Sequence, residues 1–235
     1  MTLSIIPVVG IPEVHAGDEL ADQIADAARG QDTPLVDGDC VVVTQKVVSK
    51  AEDRLVAIDP SDADARARLI ESESVRIVRR RDELVISETR HGFVCANAGV
   101  DLSNVPEGLA ALLPLDADRS AQRIRDALRA RHGVEVAVIV SDTFGRAWRL
   151  GLTDVAIGVA GIAAIVDLRG TTDSAGRELQ VTEVAIADEI AGAAELVMGK
   201  SSSTAAAIVR GLDPTWAGDG RARHLVRPSA DDLFR

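Results

Sequence analysis

Apolar residues along this chain gather in short saturated runs, set apart by stretches of helical periodicity. Leu3 to Val9 reads as a short strand, with Pro7 marking an edge or an end. Cys40-Val-Val-Val opens a fully buried strand, and Thr44, Gln45, Lys46, Ser49 and Lys50 gather polar groups at its exit. Val134 to Val140 is another buried run, which breaks at Ser141-Asp142-Thr143 before a glycine turn and the arginines Arg146 and Arg149. Glu83 to Glu88 and Gly92 to Ala96 predict a hairpin joined through Thr89-Arg90-His91. Thr153 to Val166 predicts two strands turning near Gly161, and Ala205 to Arg210 a last one.

Helical periodicity marks four further stretches. Asp18 to Ala28 carries Leu20, Ile24 and Ala27 on one face and is closed by Gly30. Residues 61 to 81 are charged and read as solvent-facing helix, with Arg79 to Arg81 a solvated run. Asp118 to Arg131 sets Ala121, Ile124 and Leu128 against arginines, and Gly133 supplies the stop. Thr182 to Met198 has two adjacent apolar stripes, so it is buried over a wide face. The order of elements predicts an α+β fold of mixed sheets with flanking helices. With no repeat and no linker, the 235 residues form one large domain or two intimately packed lobes.

Composition narrows the function. Aromatic residues are 2% of the chain, too few for a base-stacking platform, and the net charge of −11 argues against nucleic acid as a partner. A small anionic substrate remains open where a metal ion or clustered cations overcome the repulsion locally. Cys40 and Cys95 match no zinc spacing and read as buried reduced thiols of a reducing compartment. No apolar run reaches the ~18 residues that span a bilayer, and the N-terminus lacks a signal-peptide pattern. The expectation is a soluble cytoplasmic protein.

The candidate chemistry lies with carboxylates. Asp101, Asp142 and Thr143 each sit at a small-residue break beside strand-like sequence, and their hard oxygens suit Mg²⁺ or Mn²⁺ with phosphate as a shared ligand. Arginines beyond them suit phosphate or carboxylate groups. A strand ending in an Asx turn with solvated arginines is the plainer alternative. Ala194 to Ser201 approximates a Walker loop but lacks its first glycine and follows a helix, so it reads better as an anion nest. His15, His91, His132 and His224 form no metal pair and read as surface residues.

Several ordered blocks resemble the F420-0:gamma-glutamyl ligase family, in its actinobacterial-type N-terminal ligase domain, over nearly the whole chain. They are Pro7 to Glu13, Asp37 to Thr44 with Lys46 to Lys50, Ala98 to Asn104, Ser141 to Arg149, Val181 to Ile190 and Val209 to Gly211. The resemblance implies a GTP-dependent ligase that adds L-glutamate to F420-0, gamma-linked after the first, in an intertwined homodimer. Ile11, Pro12, Glu13, Val14, Gln45, Lys50 and Asn104 would contact GTP. Leu196, Val197, Met198, Gly199, Lys200, Ser201, Ser202 and Ser203 would wrap it. Asp101 and Asp142 would hold one divalent ion, and Thr143 a second with the Met198 backbone. Potassium is a further candidate cation. Lys50, Arg146 and Arg149 are the candidate clamps on reacting phosphate or carboxylate.

Two departures stand out: Gln45 where the family usually has serine, and Lys200 where archaeal-type members have an acidic residue. In the actinobacterial branch a nitroreductase-like domain commonly follows; none is expected within these 235 residues. A metal-dependent phosphohydrolase or nucleotide transferase, and a nucleotide-binding regulatory module, remain the alternatives.

Overall fold

The computed structural model describes residues 2–59, 61–62, 64–200 and 202–233. Its first half contains β1 (Ser4–Val8), α1 (Leu20–Gly30), β2 (Cys40–Thr44), α2 (Gln45–Ala51), β3 (Leu55–Ala57) and α3 (Ala65–Glu73). A run of short strands follows: β4 (Ser74–Arg81), β5 (Leu84–Thr89), β6 (Val94–Ala96) and β7 (Leu109–Ala111). Then come α4 (Ala117–Ala127), β8 (Ala137–Gly145), β9 (Leu152–Ala160), β10 (Val166–Asp167), β11 (Glu183–Val184), α5 (Ile186–Met198) and β12 (Ala206–Arg210). The class is α+β, as the pattern predicts.

The valine-rich runs meet in one five-stranded sheet of order β1-β12-β2-β8-β9. Its centre is a parallel pair, β2 beside β8, in register from Cys40↔Ala137 to Thr44↔Ser141; every other neighbour is antiparallel. Strands covered on both faces need apolar residues at every position, which is why these read as unbroken runs rather than alternations. Val41, Val43, Val138, Val140 and Ile208 face one core with α1 and α4. Cys40, Val42, Ile139, Val159 and Val209 face the other, with α5.

A smaller lobe is built from the β3-β7 pair, the β4-β5-β6 sheet and α3, around Ile70, Val85, Ala98, Val100, Ala110 and Leu112. Buried hydrogen bonds tie it to the main sheet. The Leu112 carbonyl accepts from Gln45 Nε2 at 3.0 Å and from Ser49 Oγ at 2.6 Å, both on α2. Arg54 Nε donates to the Leu113 carbonyl at 3.1 Å.

Several expectations need correction. The charged stretch 61–81 is helical only over Ala65–Glu73; Ser74–Arg81 is a strand. Its arginines mask Val75, Ile77 and Val78, and pairing with β5 overrides the local charge pattern. The polar exit of β2 is the helix α2, and Gly30 ends inside α1 rather than beyond it. The strand through Val140 does not break at Ser141: β8 continues to Gly145 because β9 pairs with it throughout, past a bulge between Val140 and Ser141. The strands on either side of Gly161 do not pair with each other; β10 pairs with β11. His91 and His132 are half-buried rather than surface residues. His91 stacks on Phe93 with ring centroids 5.7 Å apart, and His132 Nε2 lies 2.9 Å from Asp22 Oδ1.

Close approach of α4 to the sheet depends on Gly158. A Cβ there would lie 2.2 Å from the Ala117 carbonyl oxygen, whereas one at Gly145 would meet nothing within 4 Å. Gly158→Ala should therefore destabilise the fold by about 1–3 kcal/mol, the usual range for overpacking. Gly145→Ala should stay within ~0.5 kcal/mol. Urea denaturation of the two variants checks the contrast.

Candidate active site

The ends of β2 and β8 point the same way, so whatever follows each strand gathers at one edge of the sheet. After β2 the chain turns at once into α2, whose Lys46 and Lys50 lie one turn apart on one helix face. Along β8, Ser141 and Thr143 face one side of the sheet and Asp142 faces the other, as pleating requires; the extra residue of the irregularity after Val140 lies on β9, where Gly158 and Ala156 pair with Val140 and Ser141.

On the α5 side, Thr143 pairs across the ladder with Asp154 of β9. Asp154 is 2% exposed. Its carboxylate accepts from Ser141 Oγ at 3.0 Å, from Thr143 Oγ1, and from Lys200 Nζ at 3.4 Å. Lys200 also donates to Thr143 Oγ1 and lies 3.5 Å from Glu195 Oε1 of α5. Burial first, and the Asp154 charge second, hold the Glu195 carboxyl above its ordinary value.

On the opposite side stand Asp142 and Asp101. The Asp142 carboxylate accepts from the Thr143 N–H at 2.8 Å and has no ion-pair partner among the described residues. Burial pushes it up to about 7; the Thr143 N–H opposes this, and the charges of Asp154 and Asp101 add to it. Asp101 follows the segment Asn97–Gly99 and is held by a bridge to Ala111. Lys46 Nζ sits 2.9 Å from Asp101 Oδ2, and the Ser103 N–H donates to Oδ1 at 2.7 Å. Burial would raise this carboxyl, but Lys46 and Ser103 outweigh it and hold it below the ordinary range. Cys95 of β6 is close enough to feel the Asp142 charge; burial is the main reason its thiol is pushed up to about 12. Cys40 is likewise a buried free thiol.

The nucleotide candidates divide. Lys50 is 8% exposed and extends to Glu13, with Nζ and Oε1 2.5 Å apart. Ile11 and Val14 are packed on the core while Pro12 and Glu13 are exposed. Gln45 is 2% exposed, and its amide is committed to Ser49 and the Leu112 carbonyl, which makes it a brace between the lobes. Asn104 is exposed in the loop after Asp101, with φ of 53°. Met198 is fully buried and its carbonyl accepts from the Ser202 hydroxyl. Leu196, Gly199, Lys200, Ser202 and Ser203 are exposed, Val197 is half-buried, and Ser201 lies outside the described residues. Arg146 and Arg149 sit at the exposed tip of the β8–β9 hairpin, without ion-pair partners among the described residues. Arg146 is four residues beyond Asp142, about 14 Å along an extended strand.

Among the described residues no three carboxylate, imidazole or thiol groups converge closely enough to hold a metal by themselves. Asp154 and Glu195 escaped the sequence reading. The signal for Asp154 was a lone carboxylate inside the apolar run Thr153–Ala160.

Comparison with known proteins places the chain in a family. The profile of the F420-0:Gamma-glutamyl ligase family matches residues 9–211. A "Coenzyme F420:L-glutamate ligase" from Methanothermobacter thermautotrophicus is 44% identical over the whole of both chains. Proteins of the same name from Methanopyrus kandleri and Archaeoglobus fulgidus are 42% and 38% identical over all of this chain, covering 98% and 97% of their own. By these likenesses the chain is a ligase. It belongs to the F420-0:gamma-glutamyl ligase family. No helix among the described residues is long and apolar enough to cross a membrane.

The position of Asp142 carries a stability consequence. Its carboxyl titrates near 7 in the folded chain and at about 3.9 when unfolded. The folded state therefore binds the extra proton between those values, and stability falls as pH rises from ~4 to ~7. Asp142→Asn should remove that loss, so the variant's advantage over wild type in urea denaturation should grow up to pH ~7 and then level off, on the order of a few kcal/mol.

Proposed function

We propose that this chain is a GTP- and divalent-metal-dependent ligase that adds L-glutamate to coenzyme F420-0 through an acyl phosphate. Glutamates after the first would be gamma-linked. The observation that carries the reading is the pair Asp101 and Asp142 beside Lys46 and Lys50 at the edge where β2 and β8 end. It is supported by the family and by the printed names of the relatives.

A carboxylate resists attack by an amine because its oxygen leaves poorly. In the proposed sequence, a carboxylate oxygen of F420-0 attacks the γ-phosphorus of GTP; the bond to the bridging oxygen breaks and GDP departs. The glutamate amine, having lost a proton, attacks the acyl carbon. The C–N bond forms, the C–O bond to phosphate breaks, and inorganic phosphate is released. A bound Mg²⁺ or Mn²⁺ supplies charge neutralisation and alignment of the transferring phosphoryl group.

The residues present fit such an ion. Asp142 is a desolvated carboxylate with no ion-pair partner among the described residues, and Asp101 adds a second anion. Two carboxylates with phosphate oxygens and water is the usual way Mg²⁺ is held. Lys50 is the candidate phosphate clamp: among the described residues its ammonium pairs with exposed Glu13, which a phosphate would replace. Ser202 and Ser203 offer exposed hydroxyls to the nucleotide. Trp148, Leu150 and Leu152 are 79%, 99% and 68% exposed on the β8–β9 hairpin, a surface suited to burial against a second copy in a homodimer. Arg146 and Arg149 would then clamp carboxylates across that interface. Buried free Cys40 and Cys95 support a cytoplasmic location.

The test is GDP release from GTP with Mn²⁺ or Mg²⁺, with and without F420-0 and L-glutamate, with products weighed. Release that needs both substrates and yields a product one glutamyl unit heavier is expected. Release indifferent to glutamate would mean a hydrolase, and tight GTP binding without turnover a regulatory module. Asp101→Asn and Asp142→Asn should each lower kcat/KM by ~100-fold or more.

A further inference from the structure

The carboxylates at this sheet edge do not form one cage. Pleating of β8 sends Asp142 to the face it shares with Val138, Val140 and Phe144, and sends Ser141 and Thr143 to the face covered by α5. Asp142 and Asp101 therefore lie on one side and Thr143, Asp154 and Glu195, a second centre, on the other, although Asp142 also feels the charges of Asp154 and Lys200. The second centre draws its oxygens from β8, β9 and α5.

That second centre already holds a cation. Lys200 Nζ lies 3.4 Å from Asp154 Oδ1 and 3.5 Å from Glu195 Oε1, and donates to Thr143 Oγ1. Two carboxylates and a hydroxyl around one positive charge is a hard-oxygen set of the kind a divalent ion takes. Asp154 is 2% exposed, and Lys200 is its ion-pair partner. An ammonium tethered just beyond α5 is present whatever the metal concentration. It also occupies the space a second ion would need.

We propose that Lys200 is the second positive charge of this site, so that the chain takes one divalent ion, at Asp101 and Asp142, rather than two. This rests on the metal reading given above. The lysine would neutralise the Thr143–Asp154–Glu195 centre, its three N–H donors directed to those three side chains. Lysine, unlike a metal ion, cannot be stripped by a chelator.

Counting Mn²⁺ tests this directly. The full chain is titrated with Mn²⁺ alone at pH 7.5, and free ion is read by electron paramagnetic resonance. Wild type should bind one Mn²⁺ per chain and Lys200→Glu two, because the substitution removes the ammonium and adds a third carboxylate to Asp154 and Glu195. Lys200→Gln should bind more Mn²⁺ than wild type but more weakly than Lys200→Glu. The Lys200 side chain is 61% exposed, so these substitutions leave the core untouched. Two ions on wild type, or no gain in Lys200→Glu, would overturn the proposal. Asp142→Asn separates it from the metal reading. If that variant still binds as wild type while Lys200→Glu gains an ion, Asp101–Asp142 is not the divalent site and the role of Lys200 stands.

Discussion

Asp154 is buried with its carboxylate held by two hydroxyls and a lysine. Asp142, on the neighbouring strand, is drawn out of water with an amide hydrogen bond and no ion-pair partner among the described residues, and the more distant Lys200 charge offsets its burial only in part. Removing carboxylates from water is costly unless opposite charge comes with them. Lys46 answers Asp101, and Lys200 answers Asp154 and Glu195. Asp142 is the charge left over. In the proposed function, that imbalance would give the sheet edge an affinity for a cation and, through the cation, for phosphate.

The fold sets this imbalance in place. A parallel β2–β8 pair brings two strand ends to one edge, where α2 delivers lysines and β8 delivers alternating oxygens. The smaller lobe brings Asp101 to the same edge through the Asp101–Ala111 bridge. Gln45 and Ser49, both turned into the Leu112 carbonyl, fix that lobe against α2. Gln45, which the resemblance placed among the GTP contacts, has its amide committed to this brace.

Much of this was legible in the chain. Cys40-Val-Val-Val and Val138-Ile-Val announced the central strands because both of their faces are covered. Asp101, Asp142 and Thr143 stood out as oxygen-bearing residues at small-residue breaks beside strand-like sequence. Alternation along β8 sets Asp142 opposite Ser141 and Thr143; what could not be read was which parts of β9, α5 and the smaller lobe would meet each side, which are long-range facts. Asp154 was concealed by the apolar run that buries it. The strand Ser74–Arg81 was hidden for the opposite reason, its arginines obscuring a pattern that only β5 completes. The arginines of the hairpin tip read as neighbours of Asp142 in sequence, yet an extended strand carries them away from it.

The most direct measurement is the ionisation of Asp142 itself, followed by carboxyl ¹³C chemical shift through a pH titration with and without Mg²⁺. The account requires a midpoint near 7 in the metal-free chain. It also requires that midpoint to fall well below the ordinary carboxylate range when Mg²⁺ is added. A midpoint near 4 that ignores Mg²⁺ would mean that Asp142 carries no uncompensated charge, and the cation site built around it would be wrong.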